Sequence, residues 1–199
     1  MIKLLGRNTS GNVQKVIFLL EELGVPYERE DYGRQFGNTA TPAYKALNPN
    51  AKVPTLVDGE VVIWESNTIL RYLAALHRPE LAGGSPAEKT QVERWMDWLL
   101  ASVNTPYVAV FKDAKLPEAE RAPTFAASAK DLGEQLAIAE GHMAGKEWFA
   151  LGRLTLADIA MGPVLKRCLG FPIERAATPA LDAWLARLNA MPSFKKATG

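Results

Sequence analysis

The hydrophobic rhythm of the chain changes once, near residue 80. Before that point short β-rich runs alternate with helical stretches, and beyond it the spacing is helical throughout. Ile2 to Leu5 reads as a short strand. Asn12 to Leu23 reads as a helix with Val13, Val16, Ile17, Leu20 and Leu23 on one face. Gly24 stops that helix, and Pro26 follows where a helix does not continue. Tyr27 to Asp31 is a weaker second strand, and Gly33 to Ala40, rich in Gly, Asn and Thr, reads as a loop. Thr55 to Val57 and Glu60 to Ile63 form a predicted hairpin around Asp58-Gly59. Ile69, Leu70, Leu73 and Leu76 then recur at helical spacing, so a helix is predicted from Ser66 to about His77. The predicted order is β-α-β, loop, β-β-α.

Arg78 to Pro86 (RPELAGGSP) is a Pro/Gly-rich break of the kind that separates domains. Ala87 to about Lys112 follows as a predicted helix bearing Val92, Trp95, Met96, Leu99, Leu100 and Val103, with a kink expected at Pro106. Further helices are predicted over Glu118 to about Met143, Thr155 to Leu169 and Pro179 to Ala190. LTLADI, Leu154 to Ile159, is a helix-start signature: Thr155 as cap, Asp158 three positions on, and Leu154 placed to staple Ile159. Its role is read as structural. The domains expected are residues 1–78, a linker over 79–86, and an all-helical domain over 87–199.

Composition narrows the field. At 199 residues, 48% hydrophobic and 23% charged, the chain has the make-up of an ordinary globular protein able to bury a core. A formal net charge of +1 without a long Lys/Arg run gives no phosphate-neutralising face, so nucleic-acid binding is not expected. The start, MIKLLGRNTSG, turns polar too early for a signal-peptide core, and no apolar run reaches the ~18 residues of a membrane helix. The single cysteine, Cys168, excludes an internal disulfide framework and fits a reducing cytoplasmic setting. No metal-ligand cluster is present, and GHMAGKE, Gly141 to Glu147, fails as a phosphate loop.

The chemistry concentrates in NPNAKVPTLVDGEVVIWES, Asn48 to Ser66. A Val53-Pro54 step entering a strand is able to be cis, and in cis the Val53 amide and carbonyl would face outward to pair with an extended peptide. Free N–H groups at a helix mouth favour a carboxylate. The Ser66 hydroxyl adds a hydrogen bond there, and Glu65 suits an ammonium group. These features describe a receptor for a peptide unit, a carboxylate and an amine; the plainer reading is that Glu65 and Ser66 only cap a helix.

The β-α-β-β-α order with an all-helical second half, and NPNAKVPTL, the ES pair and LTLAD in sequence, resembles the cytosolic glutathione transferase family, in its bacterial, phi/theta/nu-like, serine-type form. The resemblance spans nearly the whole chain. It implies an α/β thioredoxin-like domain that holds glutathione as co-substrate, with no metal, and an all-α domain that shapes the pocket for a small electrophile. It further implies a cis Val53-Pro54 peptide, Val53 pairing with the cysteinyl backbone, Glu65 and Ser66 holding the γ-glutamyl end, and Lys52 reaching the tripeptide. A cytoplasmic homodimer working in detoxification, joined through the helix from Ser66 and the first helix of the second domain, is implied as well.

Within GRNTSGNVQKV, Gly6 to Val16, Ser10 resembles the catalytic serine of the plant phi-type enzymes, and Asn12 resembles an asparagine of certain glutathione-dependent disulfide reductases. Thr9 competes with both. A thiol of pKa near ~8.5 is only a few per cent ionised at neutral pH. A hydroxyl donating to sulfur beside a helix amino terminus contributes roughly 1.5–3 kcal/mol toward the thiolate. The other reading of Ser10 is a plain helix cap. No cysteine stands near the first helix and no tyrosine occurs before Asn12, which argues against the cysteine- and tyrosine-type mechanisms.

One departure stands out. Thr39 and Ala40 occupy the positions where the plant enzymes place a His-Lys pair against the glycyl carboxylate, leaving Lys52, Gln35 and Asn38 for that task. Asn104, Tyr107 and Phe111 are the candidates for lining the electrophile pocket. Three functions follow: transfer of glutathione to an electrophile, by conjugation or peroxide reduction; cysteine-independent reduction of disulfides through Thr9 or Asn12; or a non-catalytic binding module of the same fold.

Overall fold

Four short strands build the sheet of the amino-terminal half: β1 (Ile2–Leu5), β2 (Tyr27–Glu30), β3 (Thr55–Asp58) and β4 (Val61–Trp64). The computed structural model describes residues 1–199. The strands lie in the order β2-β1-β3-β4, with β1 parallel to β2 and antiparallel to β3, and β3 antiparallel to β4. Leu4 stands opposite Leu56, and both are fully buried. Asp58 pairs with Val61, so the tight turn is Gly59-Glu60 rather than Asp58-Gly59. Gly59, at φ 60°, supplies the left-handed first turn residue, which shifts the hairpin by one position.

Helix α1 (Gly11–Leu23) ends as predicted, with Gly24 in a left-handed conformation and its N–H bonded to carbonyls of the last turn. The apolar coverage exceeds one face. Phe18 and Leu19 are buried along with Val13, Val16 and Ile17, because α1 is packed by α3 (Ser66–His77) and also by α9 (Pro192–Thr198). The rings of Phe18 and Phe194 meet edge to face at 5.1 Å, and Lys196 binds Glu21 at 2.8 Å. Residues 189–199 therefore form one compact unit with residues 1–84, and residues 85–188 form the other.

A short helix, α2 (Pro42–Leu47), follows the loop after β2, where the apolar pattern is too brief to announce it. Thr41 accepts from the Tyr44 N–H, and Pro42 occupies the first helical position, the standard opening of a helix.

In the second unit the helix predicted over 87–112 is two helices, α4 (Pro86–Trp98) and α5 (Asn104–Asp113), with a π-helical stretch Leu99–Val103 between them. The π-helical stretch lies just before Pro106 and runs into α5, with Val103 and Asn104 both helical in backbone. The irregularity expected at the proline takes the form of a π-helical segment rather than an interruption. α6 (Phe125–Met143) starts after Pro123, later than predicted. α7 (Leu156–Leu169) opens on the Thr155–Asp158 capping box that the sequence announces. Asp158 also accepts from the Phe149 N–H and the Trp184 indole N–H, each at 3.0 Å, so the motif ties α7 to its neighbours. α8 (Pro179–Ala190) presents its first free N–H groups, on Ala180 and Leu181, to the Glu140 carboxylate at 2.9 Å each. No helix is long and apolar enough to cross a membrane.

Candidate active site

Residues 52–54 are held from below. The buried Tyr44 hydroxyl donates to the Lys52 carbonyl at 2.7 Å and lies 2.9 Å from Thr55 Oγ1, while the Asn48 amide donates to the same two oxygens at 2.8 and 3.0 Å. Tyr44 stacks on Tyr32 with ring centres 4.9 Å apart. The Val53-Pro54 peptide is cis. Tyr44 carries no site signature in the sequence, and Asn48 signals itself only by opening the NPNAKVPTL motif.

The mouth of α3 stands beside this segment. Glu65 precedes the helix at φ 69° and ψ 114°, a conformation that bulky L-residues rarely adopt, and strain of this kind concentrates at functional sites. Its side chain makes no capping bond and instead accepts from the Asn50 amide at 3.3 Å. Ser66 is the first helical residue, and its hydroxyl donates to Asn12 Oδ1 at 3.4 Å. Lys52, Val53, Pro54, Glu65 and Ser66, with Asn12, line one small cleft of about 50 Å³.

A second, wider hollow of about 290 Å³ adjoins it, sharing Asn12, Lys52 and Val53, and it contains Ser10. Ser10 is the last residue before α1, yet its side chain makes no capping bond; only its backbone serves the helix, its carbonyl accepting from the Gln14 N–H at 2.9 Å. Thr9 is exposed in the preceding turn and lines neither cavity. Arg7, Arg34 and Lys52 contribute three cationic side chains to the wider hollow and no carboxylate joins them, so the potential there favours an anion.

Two glycines let these pieces meet. A Cβ on Gly6 would come within 2.5 Å of Val13 Cγ2, so the turn from β1 to α1 closes only around glycine. Gly33, at φ 87°, lies where a Cβ would fall 2.8 Å from the Arg7 guanidinium. Gln35 does not line the hollow, and Asn38 spends both amide atoms within its loop, accepting from the Gly33 N–H and donating to the Asp31 carbonyl, each at 3.0 Å.

The remaining candidates lie in the second unit. Asn104 begins α5 and is exposed; Tyr107 is buried, and Phe111 is half-buried. Tyr107 and Phe111 cluster with Phe171 at centroid distances of 6.1 and 6.4 Å, and the Arg167 guanidinium lies 5.7 Å from the Phe111 ring centre. Cys168 is fully buried, and burial pushes its thiol up to about 12, which keeps it a packing residue rather than a nucleophile.

A four-stranded mixed sheet flanked by helices, followed by an all-helical unit, with a cis-Pro loop and a strained helix mouth around one cleft, defines the class: a thioredoxin-like domain joined to a helical domain. The family model "Glutathione S-transferase, N-terminal domain" matches residues 2–75, and "Glutathione S-transferase, C-terminal domain" matches residues 96–192. The chain is 35% identical to "Glutathione S-transferase GstB" of Escherichia coli, covering 98% of this chain and 97% of that protein. It is 30% identical to "Glutathione S-transferase 4" of Zea mays, over 98% of this chain and 91% of that one. The crystal structure of the theta class glutathione S-transferase of Xanthomonas axonopodis pv. citri with glutathione bound superposes with a TM-score of 0.93 at 41% identity, covering 99% of this chain and 96% of that one. The chain belongs to the glutathione S-transferase family.

Proposed function

We propose that the protein binds reduced glutathione along the two adjoining cavities, favours its thiolate through Ser10, and delivers it to a small electrophile by conjugation or peroxide reduction. The observation that carries this reading is the Ser10 hydroxyl. It stands at the amino end of α1, in the cation-lined hollow, and does not cap the helix. Val53 would pair with the cysteinyl backbone, and Glu65 and Ser66 would take the γ-glutamyl ammonium and carboxylate, the latter aided by the first N–H groups of α3. That orientation directs the sulfur toward Ser10 and the glycyl carboxylate toward Arg34 and Lys52, which replace the His-Lys pair that Thr39 and Ala40 lack. The thiol proton leaves to solvent, and the Ser10 hydroxyl then donates to sulfur beside the positive end of α1. Covalent chemistry belongs to the glutathione sulfur and the electrophile; the protein positions them and steadies the charge.

The electrophile pocket is assigned to Asn104, Tyr107 and Phe111, of which Asn104 and Phe111 retain exposed surface. A homodimer is part of the proposal: Val61, Val62 and Trp64 expose apolar surface along the edge strand β4, and Leu76 does so on α3. The working location is taken to be the cytoplasm.

Ser10→Ala tests the assignment. Turnover should fall about tenfold or more, the equivalent of one lost charge-assisted hydrogen bond, while the KM for glutathione changes far less. An unchanged turnover would move the role to Asn12. That residue supports a second reading, cysteine-independent disulfide reduction, because its side chain reaches both cavities. A small disulfide assayed against an aromatic halide separates the two. Absence of calorimetric heat with millimolar glutathione would instead favour a non-catalytic module.

A further inference from the structure

Lys15 lies in the first half of α1 and is 1% exposed. Lysine is almost never so buried unless a partner compensates. Lys15 is buried along with its α1 neighbours Gln14 and Val16. It follows Asn12 by three positions, which places the two on neighbouring points of one helix surface. Asn12 is the residue that meets Ser66 at the mouth of α3.

The charged groups around α1 are mostly committed elsewhere. In α9, Lys196 is tied to Glu21 at 2.8 Å, and at the end of α3 Arg78 lies 3.4 Å from Glu22. On the sheet, Lys3 pairs with Glu30 and Arg29 with Asp31. Arg71 and His77 of α3 and Lys195 of α9 complete the set on the packed elements. The charge whose field reaches Lys15 is Glu65: burial pushes the ammonium down to about 8, and the Glu65 carboxylate works against that fall.

We infer that Lys15 is a buried counter-charge beneath the γ-glutamyl end of the glutathione cleft, steadying Glu65 and favouring an anionic ligand while it remains protonated. The inference rests on the reading of that cleft as a glutathione site. Near neutrality glutathione carries two carboxylates and one ammonium, so its net charge is negative. A buried positive charge acts on it through a medium that screens weakly. Lys15 is thus a positioning residue, reaching the ligand through Glu65 and through its field. By linkage, an anion that binds better to the charged form must raise the proton affinity of Lys15 when it binds.

The test is calorimetric titration with S-methylglutathione, which lacks an ionisable thiol, against the wild type, Lys15→Met and Lys15→Arg. Each is titrated near pH 6.5, pH 8 and pH 9, in paired buffers of different ionisation heat. The wild type should bind several-fold more weakly near pH 9 than near pH 6.5 and take up a fraction of a proton near pH 8. Lys15→Met should lose severalfold in affinity at the lowest pH and lose most of the proton uptake. Lys15→Arg should keep the low-pH affinity. The ligand amine titrates in all three proteins, so its part cancels in the comparison. Lys15→Met with wild-type affinity and wild-type proton uptake would overturn the inference and leave Lys15 a tolerated burial. Failure of the wild type itself to bind S-methylglutathione would overturn the reading of the cleft, and this inference with it.

Discussion

The hydroxyl of Ser66 donates to Oδ1 of Asn12 across 3.4 Å, joining two helix mouths that lie 54 residues apart in the chain. One residue comes from the ES pair after the hairpin, the other from the first turn of α1. The bond brings the cleft beside Glu65 and the Ser10 hollow into a single surface, since Asn12 belongs to both.

A double-mutant cycle measures that join. Ser66→Ala should weaken glutathione binding by about 1–2 kcal/mol, because it removes a ligand hydroxyl as well as the bond to Asn12. Asn12→Ala should cost less. The coupling between them should be a few tenths of a kcal/mol in the free protein's stability, as befits a long neutral hydrogen bond. Strict additivity in both stability and binding would mean that the two helix mouths act independently.

Tyr44→Phe isolates the support under the cis-Pro loop. The phenol bridges the Lys52 carbonyl and Thr55 Oγ1, and both oxygens keep a bond from Asn48 when it is lost. Loss of stability should therefore stay near 1–2 kcal/mol rather than reach the full penalty of stranded buried acceptors. Combining it with Asn48→Ala should cost more than the sum of the two, because only then are those oxygens left unbonded. Denaturant midpoints of the four proteins decide it.

Much of this was legible, and the illegible parts share a cause. The strand-helix order, the Gly24 stop, the Thr155–Asp158 box and the VP…ES block all rest on contacts within a few residues, so local pattern carries them. Phe18 and Leu19 belong to a second buried face of α1, covered by a helix that the chain supplies more than 170 residues later, as the Glu22–Ser193 bond marks by its separation of 171. The Leu99–Val103 stretch keeps helical spacing, so periodicity does not separate it from the helices on either side. Arg7 and Arg34 look like ordinary surface cations in the sequence; only the fold of two separate loops brings them to the hollow beside Ser10. Ser10 illustrates the converse: cap and thiolate partner read alike in sequence, and in the fold its side chain makes no capping bond.

Gly6→Ala should be among the costliest small substitutions in the first unit. The added methyl would meet Val13 Cγ2 at 2.5 Å and Val53 Cβ at 3.3 Å, so the start of α1 and the cis-Pro loop must both move. Overpacking of this kind costs about 1–3 kcal/mol. Because Val53 lines both cavities, the KM for glutathione should rise along with the loss of stability. Wild-type stability with wild-type KM would show that the turn relaxes without disturbing the site.

Asp158→Asn should destabilise the second unit by about 2–4 kcal/mol, since the amide cannot accept from the Phe149, Thr155 and Trp184 N–H groups together. Burial holds the Asp158 carboxyl up to about 6, above its ordinary 3.8. Between those values the folded protein keeps a proton that the unfolded chain has released. Its contribution is therefore fully present below the ordinary value and is lost as pH rises through about 6. The wild-type advantage over Asp158→Asn should be larger near pH 4.5 than near pH 8, opposite to the usual behaviour of a paired surface carboxylate.

Lys15→Met should raise stability while lowering affinity, a separation that simple misfolding does not produce. The Lys15 ammonium falls from 10.5 to about 8 on folding, so between these values the unfolded chain holds a proton that the folded protein has given up. Stability of the wild type should then rise with pH across that window, with the cost of burial fully present below about 8. The cost is roughly 3 kcal/mol. Methionine fills a similar volume without a charge, so near pH 7 the variant should be the more stable protein, and the difference should shrink toward pH 10. Chemical unfolding at the two pH values checks both sign and slope. A variant less stable than wild type near pH 7 would mean that the ammonium is stabilised in the fold, and that its burial carries no cost for glutathione binding to offset.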